Sequence, residues 1–289
     1  KNTYKSQIKN ENFFLAKSGR TNPKKELIAT LKAIYSTAFE DPNKQAQCVF
    51  PARTLWLKKE LNIKADELPE VECEDYLLWS NFGQTESLEA LFVTGYFGNP
   101  ASFYGHILLK FNASHKLIGN TLLDRSVNFG AIVPENANSV SFIYDGLFGR
   151  YDATYSDQHF FVFNHHYSEH DLRDIWSYTL NIEQEKIHFL MAHIWEVLSK
   201  DFNYFFFDRN CAYYIADILQ LIIDEPLLNY KLPFSIPGDI FNHMTEIDKK
   251  RPLISTISYL PSRQTKFYTK YNTLPEKLKN QVTVNFNIQ

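Results

Sequence analysis

The sequence predicts an α+β fold in which an antiparallel sheet lies between helices. Helical patterns fill the first 80 residues, short strand-like runs joined by turn residues begin after Ser87, and helical patterns return near residue 168. Strands that are separated only by short turns pair antiparallel. We therefore expect an N-terminal helical region over residues 1–80 and a sheet-containing region over residues 81–289.

The N-terminal region has two clear helix starts. Asn22 and Pro23 open a pattern that places Leu27, Leu31 and Ile34 on one helical face. A second helix is expected after Pro51, and a loop is expected at residues 68–69. This part of the chain therefore reads as a small helical layer.

Five short apolar runs predict the sheet. Their composition is rich in aromatic and β-branched residues, and turn residues separate them, as is typical of antiparallel strands. The predicted strands are residues 91–96, 104–112, 121–131, 140–144 and 160–163.

The last part of the chain predicts three helices and an irregular C-terminal extension. Ser168 and Asp171 fit a capping box, which predicts a helix over residues 168–180. A second, amphipathic helix is expected over residues 183–199, and a third begins at Asn210. Beyond Pro226 no regular pattern is visible.

Composition excludes some classes of function. The 289 residues carry a formal net charge of -3 and contain 16% aromatic residues, without a basic stripe. We therefore expect no nucleic-acid partner. No apolar run is long enough to cross a bilayer. The chain begins at Lys1 without a visible signal peptide, so we expect a processed or excised form.

Cys211 is the first candidate for chemistry. Asn210 is a good N-cap, so Cys211 falls in the first turn of a helix whose apolar face includes Ile215 and Ile218. The helix dipole and the unpaired N–H groups of a helix start stabilise a thiolate and lower its pKa. The alternative is a buried cysteine that only packs beneath the helix.

His106 is the second candidate. On a strand, Ile107, Leu109 and Phe111 share one face, whereas His106 shares the other with Leu108 and Lys110. Gly105 permits close approach of another chain segment. A histidine placed rigidly in this way could serve as the base of a cysteine nucleophile. The alternative is a hydrogen-bonded structural histidine.

The other cysteines leave two interpretations open. Cys48 and Cys73 lie in one region, while Cys211 stands apart. In an exported protein this pattern suggests a disulfide and one reactive thiol, whereas in a cytosolic protein it suggests three buried thiols.

Residues 166–170 (HYSEH) match the pattern of inverted zinc proteases. Such a site needs both histidines on one continuous helix. Because Ser168 reads as an N-cap, His166 would precede the helix, and no downstream glutamate stands out as a third ligand. We therefore expect no metal and no cofactor.

Seven stretches in fixed order carry a family resemblance: 13–16 (FFLA), 48–57 (CVFPARTLWL), 99–106 (NPASFYGH), 123–129 (LDRSVNF), 145–151 (DGLFGRY), 172–178 (LRDIWSY) and 204–211 (YFFFDRNC). Together they resemble the N-terminal periplasmic domain of the bacterial Lnb-type lipoprotein N-acyltransferases. That family is similar to permuted NlpC/P60 and lecithin:retinol acyltransferase-like proteins, in which the histidine strand precedes the cysteine helix. His106 and Cys211 have this order.

The resemblance implies a permuted papain-like catalytic domain, in which the antiparallel sheet packs on the nucleophile helix. It also implies export, a periplasmic location with possible attachment to the membrane, and a Cys48–Cys73 disulfide. Cys211 would be the nucleophile and His106 its base. A polar residue on the next strand should orient the imidazole. Asp124, Ser126 and Asn128 share one face of that strand, and Asn128 is preferred to Asp124.

The implied activity is acyl transfer from a phospholipid, through a Cys211 thioester, to the α-amino group of a lipoprotein at the membrane surface. Candidate substrate contacts are Ser102, Tyr104, Tyr151 and Phe206. The enzymatic alternative is a cysteine peptidase or amidase that acts on cell-wall peptides with the same two residues. A non-catalytic binding module is disfavoured by the intact pair.

Overall fold

A computed structural model describes residues 4–96, 102–113, 121–134, 138–229 and 233–286. The predicted helical layer is present at the N-terminus, where Asn22 caps the first helix through a bond from the Lys25 N–H at 3.0 Å. The helices of this layer are α1 (Pro23–Ile34), α2 (Ala46–Val49), α3 (Pro51–Leu61) and α4 (Glu74–Trp79).

Within the described residues, seven strands form one antiparallel sheet in the order β6-β4-β3-β2-β1-β5-β7. The strands are β1 (Thr85–Val93), β2 (His106–Ala113), β3 (Arg125–Ala131), β4 (Tyr151–His159), β5 (Ile175–Leu180), β6 (Phe202–Tyr204) and β7 (Ile254–Leu260).

The remaining helices of the described residues lie between the later strands or after the last one. They are α5 (Ser139–Leu147), α6 (Phe160–Asn164), α7 (Gln184–Val197), α8 (Cys211–Leu219), α9 (Pro237–Asp248), α10 (Arg263–Asn272) and α11 (Glu276–Phe286). A π-helical segment, His165–His170, continues α6 without a break.

The sheet is buried on both faces. One face carries the larger core, to which β2 contributes Ile107, Leu109 and Phe111 and against which α8 packs. The opposite face carries a smaller core of β1, β2 and α6 residues that includes Leu108. The alternation predicted for β2 is therefore confirmed.

A disulfide joins Cys48 to Cys73, with a Cα–Cα distance of 5.1 Å, as expected. It ties α2 to the residue that precedes α4. The helical layer also contacts the second region, since Trp195 of α7 donates to the Cys48 carbonyl at 2.9 Å. The division of the chain into regions 1–80 and 81–289 stays a prediction.

Three element predictions were wrong. Residues 140–144 and 160–163, expected as strands, lie in helices α5 and α6. Short apolar runs do not distinguish a strand from a buried helix by periodicity alone. The expected helix over 168–180 is instead the end of the π-helical segment followed by β5, because β5 is held on both sides by β1 and β7. Strand β4 was not predicted.

The C-terminal part is more regular than expected. Past Pro226 the chain forms α9, β7, α10 and α11 rather than an irregular extension. Strand β7 extends the sheet next to β5, an interaction that depends on residues 74 to 85 positions away in sequence and leaves no local signal.

Candidate active site

Cys211 is the first residue of α8 and is buried, with 5% of its surface exposed. The Asn210 side chain accepts hydrogen bonds from the N–H groups of Ala212 and Tyr213, at 3.0 and 3.3 Å. Its amide donates to the carbonyls of Phe206 and Ser235. The predicted helix start is therefore confirmed, and Asn210 fixes it to the segments on either side. Cys211 carries the chain's free thiol.

His106 is the first residue of β2. It follows Gly105, a position that has no room for a Cβ atom. Gly105 has a φ of +96°, and a Cβ there would lie 2.8 Å from the Val93 carbonyl oxygen. The backbone of residue 105 is thus pressed against β1, as expected from the sequence. This contact fixes the direction in which His106 enters the strand.

Asn128 of β3 orients the imidazole. His106 Nε2 and Asn128 Oδ1 are 2.6 Å apart. An amide oxygen can only accept a hydrogen bond, so Nε2 carries the proton in the neutral ring. The lone pair then resides on Nδ1, the ring nitrogen that can accept a proton.

The strand register explains why Asn128, and not Asp124, reaches His106. Leu108 lies opposite Asn128, which places Asn128 on the same face as His106. Asp124 lies beyond the other end of this ladder. Its carboxylate contacts Lys110 Nζ at 3.4 Å and accepts from the Ala113 N–H at 3.1 Å. Asp124 is therefore not placed to orient the His106 ring, and that alternative assignment is wrong.

The Cys211 thiol lies beside the strand that carries His106. The Ile107 N–H, adjacent in sequence to His106, is close enough to hydrogen-bond the sulfur and to act on its pKa. The pairing of β2 with β3 begins at Leu108 and Asn128, so Ile107 has no paired residue on β3. Among the described residues, no hydrogen bond joins Cys211 directly to His106.

Burial sets the protonation of both groups. It raises the pKa of the Cys211 thiol to about 11, against the effect of the nearby N–H groups and Arg173. It lowers the pKa of His106 to about 4, although the Asn128 bond acts the other way. The expectation that the helix start lowers the Cys211 pKa below its usual value is wrong, because desolvation outweighs the dipole. Both groups are neutral at neutral pH.

Arg173 and Tyr167 belong to the same site and were not predicted as functional. Arg173 is 3% exposed, donates from Nε to the Thr94 carbonyl at 2.7 Å, and lies over the Tyr167 ring at 5.0 Å. The Tyr167 ring is 5.8 Å from the His106 ring. The guanidinium charge lowers the pKa of both His106 and Cys211. In the sequence, Arg173 was marked only by its place in stretch 172–178, one of the stretches that carry the family resemblance.

A cavity of about 570 Å³ opens at Cys211. Its wall is mainly apolar, with side chains from α5, from the segment after β6 and from the start of α9. Of the predicted substrate contacts, Tyr104 and Phe206 line it, whereas Ser102 and Tyr151 are not among its described lining residues. The apolar lining residues are Tyr104, Ile143, Leu147, Phe206, Phe207, Pro233, Phe234, Ile236 and Pro237.

The other two predicted contacts have structural positions. The Ser102 carbonyl accepts from the N–H groups of Tyr96 and Gly105, both at 3.0 Å. Tyr151 is buried in β4 with its ring against Phe142. Residues 97–101, which include part of the resembling stretch 99–106, lie outside the described residues.

Among the described residues, one group of side chains is spaced to hold a metal ion: His166, His170 and Asp171, whose ligand atoms lie within 4.8 Å of one another. None of the three lines the cavity at Cys211. No described helix is long and apolar enough to cross a membrane.

Comparison with known families gives two matches. A family described as the Lnb N-terminal periplasmic domain matches residues 76–244, more than half of the chain and including the residues around Cys211, His106 and Asn128. A domain of unknown function, DUF7843, matches residues 1–60. No curated protein and no solved structure matches the chain.

Proposed function

The chain belongs to the family of the Lnb N-terminal periplasmic domain, and from this membership we propose that it is a cysteine-dependent acyltransferase of lipoproteins. The family is linked to lipoprotein processing, and the chain is periplasmic. The finer assignment of donor, acceptor and mechanism rests on the side chains around Cys211.

The observation that carries the proposal is a thiol in the lining of an apolar cavity. Cys211 lines a space of about 570 Å³ whose other lining side chains are almost all aromatic or aliphatic. An acyl chain gains about 0.8 kcal/mol for each CH₂ that it buries in such a space. A polar peptide of the cell wall would gain little there and would leave its amides unpaired. The cavity therefore favours a lipid ester as the first substrate.

The mouth of the cavity supports access from a membrane surface. Tyr104, Phe207 and Phe234 line the cavity and are 52%, 53% and 40% exposed. Aromatic side chains that are partly exposed to solvent are favoured at the boundary between lipid and water. A phospholipid could then enter without leaving the apolar phase completely.

In the first half-reaction, the proton of the Cys211 thiol moves to Nδ1 of His106 as the sulfur attacks the ester carbonyl of the phospholipid. The C–O bond to the lysophospholipid breaks, and its oxygen takes the proton from His106. The products are a Cys211 thioester and a free lysophospholipid. Proton transfer must accompany attack, because neither the thiolate nor the imidazolium is stable alone in this buried site.

In the second half-reaction, the α-amino group of a lipoprotein attacks the thioester carbonyl. His106 accepts a proton from the amine, the C–S bond breaks, and the sulfur regains a proton from His106. Asn128 holds the ring in the same tautomer throughout. The buried charge of Arg173 stabilises negative charge that develops near the sulfur.

This arrangement supports the permuted papain-like assignment. The histidine strand precedes the cysteine helix, the helix begins at the nucleophile, and an asparagine on the neighbouring strand orients the ring. The order of His106 and Cys211 along the chain is the one implied by the family resemblance.

Intact-protein mass spectrometry tests the proposal. Incubation with phospholipid vesicles should add one acyl mass to the chain, and neutral hydroxylamine should remove it, as expected for a thioester. Cys211→Ala and His106→Ala should carry no adduct. If the chain gains no acyl mass but cleaves cell-wall peptides in a Cys211-dependent way, it is a peptidase or amidase instead.

A further inference from the structure

The HYSEH segment adopts a structure that the sequence pattern did not indicate. Ser168 is not an N-cap: it is buried, and its Oγ donates to Asn164 Oδ1 at 3.2 Å, one turn back. Helix α6 and the π-helical segment form one continuous helical run from Phe160 to His170. Both histidines therefore lie on the same helix, so the first of the two reasons for expecting no metal no longer holds, and Asp171 takes the place of the missing downstream glutamate as a candidate third ligand.

The π turn brings three ligands to one face. The Asp171 N–H donates to the His166 carbonyl at 2.9 Å, an i+5 to i bond. Because a π turn closes at i+5, residues i+4 and i+5 lie on either side of residue i. His170 and Asp171 consequently flank His166, whereas in an α-helix Asp171 would point to another face.

The side chains already converge. The rings of His166 and His170 are stacked with centroids 5.8 Å apart. Asp171 Oδ2 lies 3.7 Å from His166 Nε2, and Asp171 Oδ1 lies 3.1 Å from His170 Nδ1. Ligand atoms around tetrahedral zinc are about 3.4 Å apart, so small side-chain rotations complete the site.

We propose that His166, His170 and Asp171 bind a divalent transition-metal ion of the zinc class, with water as the remaining ligand. Two imidazoles and one carboxylate suit zinc rather than calcium or magnesium, which take oxygen ligands. The two rings are 58% and 77% exposed, so an ion can enter directly from solvent. The proposal for acyl transfer gives none of these three ligands a role.

The site is not a catalytic zinc-protease centre. Glu169, which would be the general base in that motif, contacts His165 Nδ1 at 3.0 Å. The third ligand of the proposed site is an aspartate, Asp171. Its Oδ2 lies 3.7 Å from the Arg173 guanidinium. The centre of the Tyr167 ring lies 5.8 Å from the centre of the His106 ring and 5.2 Å from that of the His166 ring. A bound ion would therefore lie against residues that surround the candidate active site.

Isothermal titration of the purified, metal-free chain with Zn²⁺ tests the site. We expect one zinc per chain, with affinity at least about tenfold lower in His166→Ala, His170→Ala and Asp171→Asn, since even loss of a supporting contact costs that much. His165→Ala is the matched control, because His165 lies on the same segment and should leave affinity unchanged. Cys211→Ser should also bind normally.

Two further readouts keep the outcome clear. Co²⁺ in place of zinc should give ligand-field absorption without a thiolate charge-transfer band, which separates this site from Cys211. Zinc should raise the melting temperature of the wild-type chain but not that of His166→Ala. The proposal is overturned if no zinc binds, if His165→Ala weakens binding as much as His166→Ala, or if binding requires Cys211. None of these results bears on acyl transfer.

Discussion

At the scale of single residues, desolvation decides how the thiol and the imidazole behave. The helix start, the Ile107 N–H and Arg173 all favour a thiolate at Cys211, yet burial still raises its pKa to about 11. His106 has a pKa of about 4 and cannot supply a stabilising cation at neutral pH. The resting site therefore holds a neutral thiol and a neutral imidazole, and in the proposed reaction a proton moves between them only when substrate is bound.

This state predicts a steep pH dependence of alkylation. Thiolate is the reactive form, so the rate of Cys211 modification by iodoacetamide should rise about tenfold per pH unit from pH 7 to 10, without a plateau. The urea-unfolded chain, with an ordinary thiol pKa of about 8.5, is the control and should level off near pH 9 to 10. A plateau near pH 7 that is lost in His106→Ala would show a resting ion pair instead. The disulfide keeps Cys48 and Cys73 out of the measurement.

The Asn128 side chain should contribute to the proposed acyl transfer by orienting the His106 ring. Asn128→Ala leaves the Nε2–H without its partner, a loss of about 1–3 kcal/mol, so kcat/KM for acyl transfer should fall about 10- to 100-fold. Ser126→Ala is the matched control, since Ser126 lies two residues away on the same strand face and its buried Oγ makes no hydrogen bond with described residues. Equal losses in both variants would show a general effect on the strand and remove the role of Asn128.

At the scale of elements, Arg53 connects α3 to its neighbours. Its guanidinium contacts Glu26 of α1 at 2.7 Å and Glu196 of α7 at 3.4 Å, and it stacks over the Phe13 and Phe50 rings. These contacts bring stretches 13–16 and 48–57 together in the structure. They form one buried junction between the helical layer and α7.

Breaking this junction should destabilise the fold. Arg53→Ala leaves two largely buried carboxylates without their cation, and the free energy of unfolding in urea should fall by about 3–5 kcal/mol. Lys59→Ala is the matched control, because Lys59 pairs with Glu185 between the same two helices but at the surface. Its effect should stay within about 0.5 kcal/mol. Similar losses in the two variants would contradict a special role for the Arg53 junction.

The disulfide is the second link within the helical layer. Closing a loop with a sequence separation of 25 stabilises the fold by about 3 kcal/mol in the chain-entropy model. The Cys48→Ser/Cys73→Ser double variant should lose about this much in urea unfolding. Cys211→Ser, which breaks no crosslink, is the comparison. Free thiols at both positions in protein isolated from the periplasm would contradict the disulfide itself.

At the scale of the whole molecule, the cavity is assembled from segments that lie far apart in sequence: residues 104–105, α5, residues 206–211 and residues 233–237. No one of them has an apolar face that identifies it as a lipid site. Gly146 of α5 has no room for a Cβ, which would lie 2.3 Å from the Phe206 ring. Close packing of α5 on the segment after β6 shapes the cavity next to Cys211.

The cavity should make activity depend on acyl chain length. Ile143→Asp places a charge in the apolar wall, so KM for long-chain esters should rise about tenfold or more, while short-chain esters are unaffected. Tyr144→Asp is the matched control, since Tyr144 is on the same helix but contacts Phe148 and does not line the cavity. Equal sensitivity of long and short esters to Ile143→Asp would argue against an acyl-chain site.

Local patterns were sufficient for several features. Asn210 as an N-cap, Cys211 at the start of a helix, the alternation of β2 and the α+β class were all readable, because each depends on neighbouring residues in the chain. The five ordered stretches between residues 99 and 211 were enough to identify the family, which the match over residues 76–244 confirmed. Stretches 13–16 and 48–57 lie instead in the separate match to DUF7843 over residues 1–60. The pairing of Cys48 with Cys73 depended on that resemblance, since it implied an exported protein.

Tertiary structure alone decided the rest. Residues 140–144 and 160–163 are helical, and residues 175–180 form a strand, because packing and strand pairing outweigh weak local preference. Asn128 was already preferred to Asp124 from the sequence, but its contact with His106 depends on register. The high pKa of Cys211 depends on burial, and the grouping of His166, His170 and Asp171 depends on a π turn. Each of these is set by atoms brought together from distant parts of the chain or by a hydrogen-bond pattern that no residue type specifies.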